Sequence, residues 1–403
     1  MGAAVLVAAA TTTFQAAPGS GASATRALWV TRTTLTSPES IVQMVRAADA
    51  GGFNTLLVQV RGRGDAYFDS SLEPRAAELA SRPSFDPLAT TIEQAHAAGL
   101  KVHAWVSLNL VSSAYELPPS RQHIVYRTPE WLMVPRELAA EMRTMPVRSP
   151  AYLGRLARWT RAHSNEIEGL YVSPVSSAAA IHTAAVIGDM ARKYALDGVN
   201  LDYARYPSNA FDYGPAALEQ FKLEILATVS APLRSEAAIR ERLDPLAYPN
   251  LFPDRWDAFR RSRLTALVMR VRTAIKAVRP GIVVSAAVVP DAQQAFDLRL
   301  QDWRTWLDES LVDVLCPMAY TPDASLFQHQ VAAAKAYAGG RPVWAGIGAY
   351  RLTSAQTLEH IAAAQRLGTA GIILFSYDSL IAPPNNIGSL SALGRAAFGA
   401  GSH

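Results

Sequence analysis

Short apolar runs alternate with longer stretches of helical periodicity along this chain, and the alternation repeats eight times. RALWVTRTT (26–34), NTLLVQVRG (54–62), KVHAWVSLNLV (101–111), DGVNLDYARYP (197–207), GIVVSAAVVPD (281–291), LVDVLCPMAY (311–320), RPVWAGIGAY (341–350) and TAGIILFSYDSL (369–380) read as strands, because they are short and rich in β-branched and aromatic residues. Helices are predicted over 38–50, 86–98, 176–195, 256–278, 302–309, 326–337 and 353–366, with Gly51-Gly52 and Gly99 as stop signals. Strands alternating with helices imply parallel βαβ units, and eight of them imply a (β/α)8 TIM barrel. Two less regular stretches, around 111–175 and 208–254, read as long βα-loop insertions. The first holds a possible short strand, GLYVSP (169–174), and the second a helix near 215–229. A doubly wound open sheet is the alternative, but strand one is followed by RTTLTSPE rather than a Gly-rich phosphate loop.

Side chains alternate faces along a strand, and here one face turns polar toward the C-terminal ends. Leu57, Gln59 and Arg61 share a face in strand two; His103, Trp105 and Ser107 in strand three; Asn200 and Asp202 in strand four. Met318 and Tyr320 lie together in strand six, and in strand eight Ser376 and Asp378 oppose Ile373, Phe375 and Tyr377. Burying polar groups is costly unless they are paired, so repetition on five strands argues for a convergent pocket at the barrel mouth, where this fold places its chemistry.

Composition narrows the class. The 403 residues are 50% hydrophobic, enough for a large core, and the net charge of +4 comes without a Lys/Arg-dense run interleaved with aromatics. Nucleic acid is therefore not an expected partner. The single cysteine, Cys316, sits in an apolar run and is expected to be a buried hydrophobe rather than a nucleophile. The first 25 residues are Ala-rich and apolar, then small and polar. They resemble the tail of a secretory signal peptide without its basic start, and predict export, with the barrel over 26–398. No later apolar run approaches the ~20 residues that span a bilayer. HExxH, zinc-spaced Cys/His clusters and GxSxG are absent from the sequence, so neither metal nor cofactor is expected.

Glycoside hydrolysis uses two carboxyl groups flanking the scissile bond. Asp202 is the first candidate, and Asp65, Asp291, Asp323 and Asp378 compete to be the second. Trp105, Tyr203, Tyr206, Tyr320 and Tyr377 suit sugar stacking, although most aromatics in such a chain belong to the core. A lone histidine such as His103 is more often a core residue than a catalytic one. Arg205, just past the strand end, is placed either to grip substrate or to pair with Asp202 and hold it ionised, which favours Asp202 as nucleophile or base.

VQVRGRGDAYFDSSLEP (58–74), DPLATTIEQAHAAGLKVHAWV (86–106), DGVNLDYARYP, the segment from Trp303 to Tyr320, and GTAGIILFSYDSL together resemble the glycosyl-hydrolase-like 10 family. That resemblance implies a bacterial, exported (β/α)8 protein that hydrolyses a polysaccharide, cell-wall glycan included. It implies Asp202 as the leading catalytic carboxylate; Asp378 and Asp291 stay candidates for its partner through their place at strand ends, not through the resemblance. Arg61, Asp65, His103, Arg205 and Tyr320 would line the pocket by resemblance, and Trp105, Asn200 and Tyr377 join the expected substrate contacts through strand phase and aromatic character. Ser107-Leu108 stands where the family often has Asn-Pro, and Asn200 where it commonly has His, so a catalytically inactive glycan-binding barrel is the alternative. The chitinase-type family 18 pattern DG-x-D-x-D-x-E is a weaker likeness, because its glutamate position is Ala204 here.

Overall fold

A computed structural model describes residues 24–399; of the signal-peptide-like segment 1–25, residues 1–23 lie outside them, while Thr25 opens the first strand. Eight parallel strands, β1 (Thr25–Val30), β2 (Thr55–Arg61), β3 (Lys101–Ser107), β4 (Gly198–Asp202), β5 (Val283–Val288), β6 (Val314–Pro317), β7 (Trp344–Ile347) and β8 (Gly371–Phe375), form one sheet in the order β6-β5-β4-β3-β2-β1-β8-β7. Parallel bridges Leu315↔Val343 and Met318↔Gly346 join its two ends. The result is a (β/α)8 barrel. Among the described residues no helix is long and apolar enough to cross a membrane.

Strand composition follows from burial on both faces. All of β2, TLLVQVR, is buried, as expected of a parallel strand walled by helices on one side and by barrel contents on the other. Leu56, Val58 and Val60 face the outer helices. Trp29, Leu57, Trp105, Cys316, Trp344 and Ile373 fill the barrel. Burial raises the Cys316 thiol pKa, as suits an inert hydrophobe. Helix starts are encoded locally: Ser37 accepts from the Ser40 N–H ahead of Pro38–Ala50, and Asp86 from Ala89 ahead of Pro87–Ala97.

Every strand is shorter than its apolar run suggested, because the chain leaves the ladder once it reaches the mouth. The difference matters most in β8. Ile373 and Phe375 point into the barrel, where Phe375 meets the rings of Trp29 and Trp105 edge-on. Tyr377 already belongs to the helix Tyr377–Ile381 and is buried in the outer core. The expected phase of this strand is therefore reversed: its inward face carries the aromatic, not Ser376 and Asp378.

The stretch after β3 carries helices Ile124–Arg127 and Pro150–Ala162 around a core of its own. It then returns to the barrel through bridges Leu110↔Tyr171 and Leu132↔Val172. After β4, helices Pro215–Leu226 and Ala231–Glu241 pack on Trp256 and Phe259 of the long helix Pro253–Val278. Both excursions sit on βα connections, so they build up the mouth.

Arg61 does not line that mouth. The β2–β3 register shifts between Gln59 and Arg61, and Arg61 is fully buried. Its Nη2 and Nε donate to Glu73 at 2.5 and 2.8 Å, and its Nη1 donates to the Ser107 carbonyl. Burial alone would raise the Glu73 pKa, but Arg61 and His182 outweigh it and lower it to about 2. Breaking this pair by Glu73→Gln or Arg61→Met is expected to cost about 3–5 kcal/mol in urea unfolding at neutral pH. Because the folded-state pKa is depressed, the Glu73 contribution is present above its ordinary value of 4.5 and is lost as pH falls toward about 2. The stability gap between parent and Glu73→Gln should narrow over that window, and a gap independent of pH would refute the assignment.

Candidate active site

The barrel interior is layered, and each layer sets the chemistry of the one above. His103, early in β3, packs on Trp344 with ring centroids 5.4 Å apart. A Cβ at Gly198 would lie 2.2 Å from His103 Nδ1, so the glycine of DGVNLDYARYP makes room for this imidazole. Burial keeps His103 neutral, with its pKa lowered to about 4. One layer up, Trp29 Nε1 donates to Asn200 Oδ1 at 3.2 Å, and Asn200 Nδ2 donates to Ser285 Oγ at 2.9 Å.

Asp202 tops this stack at the end of β4, only 6% exposed. Trp105 Nε1 donates to its Oδ2 at 2.9 Å, and the Tyr203 N–H donates to its Oδ1 at 2.6 Å. Tyr203 has φ of 49°, a left-handed backbone uncommon outside glycine. Arg205 Nη1 lies 3.6 Å from Asp202 Oδ1, and its guanidinium rests over the Tyr203 ring at 4.3 Å.

Arg205 also reaches Glu168 on the segment returning from the first insertion, with Nη2 3.4 Å from Oε1. Tyr171 donates its hydroxyl to Glu168 Oε2 at 2.6 Å. One planar guanidinium thus touches two carboxylates, so their nearest oxygens lie no more than about 9 Å apart. The two are pushed in opposite directions. Burial raises the Asp202 pKa and outweighs Arg205, Tyr203 and Trp105. Burial would also raise Glu168, but Arg205 and Tyr171 outweigh it and lower the pKa. Arg205 therefore favours the ionised form of both carboxylates, as its position in the sequence suggested for Asp202; burial overcomes it at Asp202 but not at Glu168.

The sequence model of the Glycosyl hydrolase-like 10 family matches residues 24–349. The chain belongs to this family. Glycosyl hydrolase DigH of Escherichia coli K12 is 23% identical over 289 residues, covering 67% of this chain and 55% of DigH. Glycosyl hydrolase YngK of Bacillus subtilis is 23% identical over 298 residues, covering 67% and 46%. The chain thus spans about half the length of the curated relatives it matches. The glycoside hydrolase domain of PgaB (BpsB) from Bordetella bronchiseptica superposes with a TM-score of 0.63 at 15% identity, over 94% of this chain and all of that one. A β-galactosidase from Bacillus circulans superposes at 0.61 with 12% identity, over 92% and 55%. These likenesses show the fold.

Within the Glycosyl hydrolase-like 10 pattern, the structure gathers Trp105, Asp202, Tyr203 and Arg205 into one cluster, with Asn200 beneath it. Tyr320 stands in the same interior, stacked on Phe375 with centroids 5.5 Å apart. The other expected carboxylates have different partners. Asp378 accepts from Thr31 N–H, Thr33 and Thr34, tying β8 to the turn after β1. Asp291 and Asp323 cap the helices Ala292–Leu298 and Ala324–Ala338. Tyr206 is buried in the outer core with Tyr377, and Asp65 lies in a side cavity with Arg32 and Arg63. Glu168, Tyr171 and Glu73 were missed. The EP of the first motif and the strand-like GLYVSP just after Glu168 were the available signals.

Trp105→Phe removes the Asp202 Oδ2 donor while keeping an aromatic ring in the barrel. Because that donor favours the ionised form, the carboxyl pKa of Asp202, followed by carbon-13 NMR of labelled aspartate, should move upward. An unchanged or lower value would contradict the hydrogen bond's role.

Proposed function

We propose that this protein hydrolyses O-glycosidic bonds of a polysaccharide, with Asp202 and Glu168 as the paired carboxyl groups. The observation that carries the reading is Arg205 bridging two carboxylates whose pKa values are displaced in opposite directions, the arrangement that separates an acid from a base at one site. Membership of the Glycosyl hydrolase-like 10 family supports it, as do relatives named glycosyl hydrolases. Asp202, raised by burial, gives its proton to the leaving glycosidic oxygen as the bond to the anomeric carbon breaks. Glu168, whose side chain is 39% exposed, keeps its charge and takes a proton from the water that attacks that carbon. Arg205 steadies the negative charge that Asp202 acquires. A water-activating base predicts a product of inverted configuration. The Ala-rich start supports action outside the cytoplasm, on an exported glycan.

The test is an assay on a panel of bacterial and plant polysaccharides, peptidoglycan glycan included, with proton NMR of the first product. Asp202→Asn and Glu168→Gln should each lose about 10²–10⁴-fold in kcat, with thermal melting unchanged. The rate should fall as pH rises through the Asp202 pKa, where the proton to be donated is lost, and fall again in acid as Glu168 protonates. A rate that stays high into alkaline solution would make Asp202 a base or nucleophile instead. An Asp202→Asn variant as active as its parent would sink the pairing. Glycan binding by a parent that hydrolyses nothing would replace the enzyme with the binding barrel.

A further inference from the structure

A cavity of ≈ 270 Å³ opens on the loops after β1, β2 and β3 and is lined by Arg32, Arg63, Asp65, Glu78 and His123. It belongs to the same mouth. Its wall includes Ser112, whose Oγ accepts from the Leu170 N–H at 3.1 Å. A Cβ at Gly169 would lie 1.8 Å from the Ser112 carbonyl oxygen. The cavity wall therefore presses directly on the residue after Glu168. On the other side Arg63 is within electrostatic reach of Tyr203, the neighbour of Asp202.

The floor is built, not incidental. Gly64 has φ of 72°, and a Cβ there would lie 2.9 Å from His123 Nε2. That glycine lets His123 come within 2.8 Å of the Arg63 carbonyl oxygen and fix the loop RGRGD. The loop in turn presents Asp65, whose Oδ1 has the Arg63 N–H at 3.3 Å. Among the described residues the Arg63 side chain forms no hydrogen bond or ion pair, and burial followed by the charge of Arg32 lowers its pKa. Burial likewise raises Asp65. The unpartnered Arg63 guanidinium, and an Asp65 carboxylate with a single long hydrogen bond, have hydrogen-bonding capacity left for a ligand.

The lining also says what kind of ligand. Arginines 32, 63 and 75 are matched by Asp65, Glu78 and Glu116, and no Phe, Tyr or Trp lines the cavity. Burial lowers the His123 pKa and favours its neutral form. A charge-balanced cavity carrying both strong donors and strong acceptors suits a neutral group that offers both, which is what vicinal hydroxyls do. Its volume of ≈ 270 Å³ falls just below the usual range of ligand pockets, about 300–1,000 Å³, and suits one ring rather than a chain. We propose that this cavity is a subsite for a single neutral pyranose of the substrate, held through its hydroxyls by Asp65 and Arg63 rather than by aromatic stacking. This rests on the reading of the mouth as a glycan-cleaving site.

The test is saturation-transfer NMR of the full chain with the methyl glycosides of glucose, N-acetylglucosamine, glucosamine and glucuronic acid, each titrated to tens of millimolar. At least one of the two neutral glycosides should bind, with affinity at least tenfold weaker in Asp65→Asn and in Arg63→Met, whose melting temperatures serve as the folding control. Binding of the charged glycosides alone, no binding by any of the four, or neutral binding unchanged in both variants would overturn the subsite. Binding is read without turnover, so its failure is distinguishable from failure of the catalytic pairing, which the Asp202 and Glu168 variants report independently.

Discussion

A carboxyl group at 6% exposure inside a barrel is tenable only if donors meet it, and the Trp105 indole meets Asp202 at 2.9 Å. That hydrogen bond is the constraint around which the mouth is arranged. Trp105 has to fill interior volume with its ring and still aim one N–H at the end of the neighbouring strand. It does both because β3 and β4 pair in a register that sets Trp105 beside Asn200 and Ser107 beside Asp202. Trp29 repeats the device one layer lower, on Asn200. Indoles are suited to this: each buries a large apolar area and carries one donor with no acceptor to satisfy.

Once Asp202 is fixed, the rest of the site follows from the chain that leaves β4. The left-handed turn at Tyr203 brings its N–H onto the carboxylate and sends Arg205 back over its own ring. Arg205 then needs a second anion to offset its burial, and Glu168 supplies it from the far end of a long insertion. The same logic holds the base of the insertion. Arg61 spans Glu73 and the Ser107 carbonyl, locking the loop after β2 to the end of β3. Two arginines, each shared between segments distant in sequence, thus set the mouth.

The barrel was legible because it rests on periodicity: eight apolar runs, helix caps such as Ser37 and Asp86, and stops such as Gly99 are all local signals. Inward phase was legible on β3 and β4 and on β2 as far as Gln59, beyond which the register shift takes Arg61 out of phase. It failed on β8, where Phe375 is drawn inward by Trp29 and Trp105 and where the strand ends before Ser376. Depth was not legible either. His103 and Asp202 share a face orientation but lie at different levels, and only the strand's true end separates packing from chemistry. Glu168 was invisible for a related reason: no periodicity relates it to β4, and only the folded insertion brings it to Arg205.

The layer beneath the carboxyl group decides how Asp202 behaves. The family pattern commonly has histidine at position 200, and Asn200 is a departure from it. In the structure the amide accepts from Trp29 and donates to Ser285 at once, a dual role that a neutral imidazole fills in a single tautomer. An imidazole there would also be open to protonation, placing a positive charge one layer below Asp202. Such a charge would favour the anion and lower its pKa. The amide brings no such charge, and His103 below it stays neutral. Burial is then opposed chiefly by Arg205, which is why the Asp202 pKa ends up raised. The substitution is therefore compatible with the site and biases Asp202 toward carrying a proton.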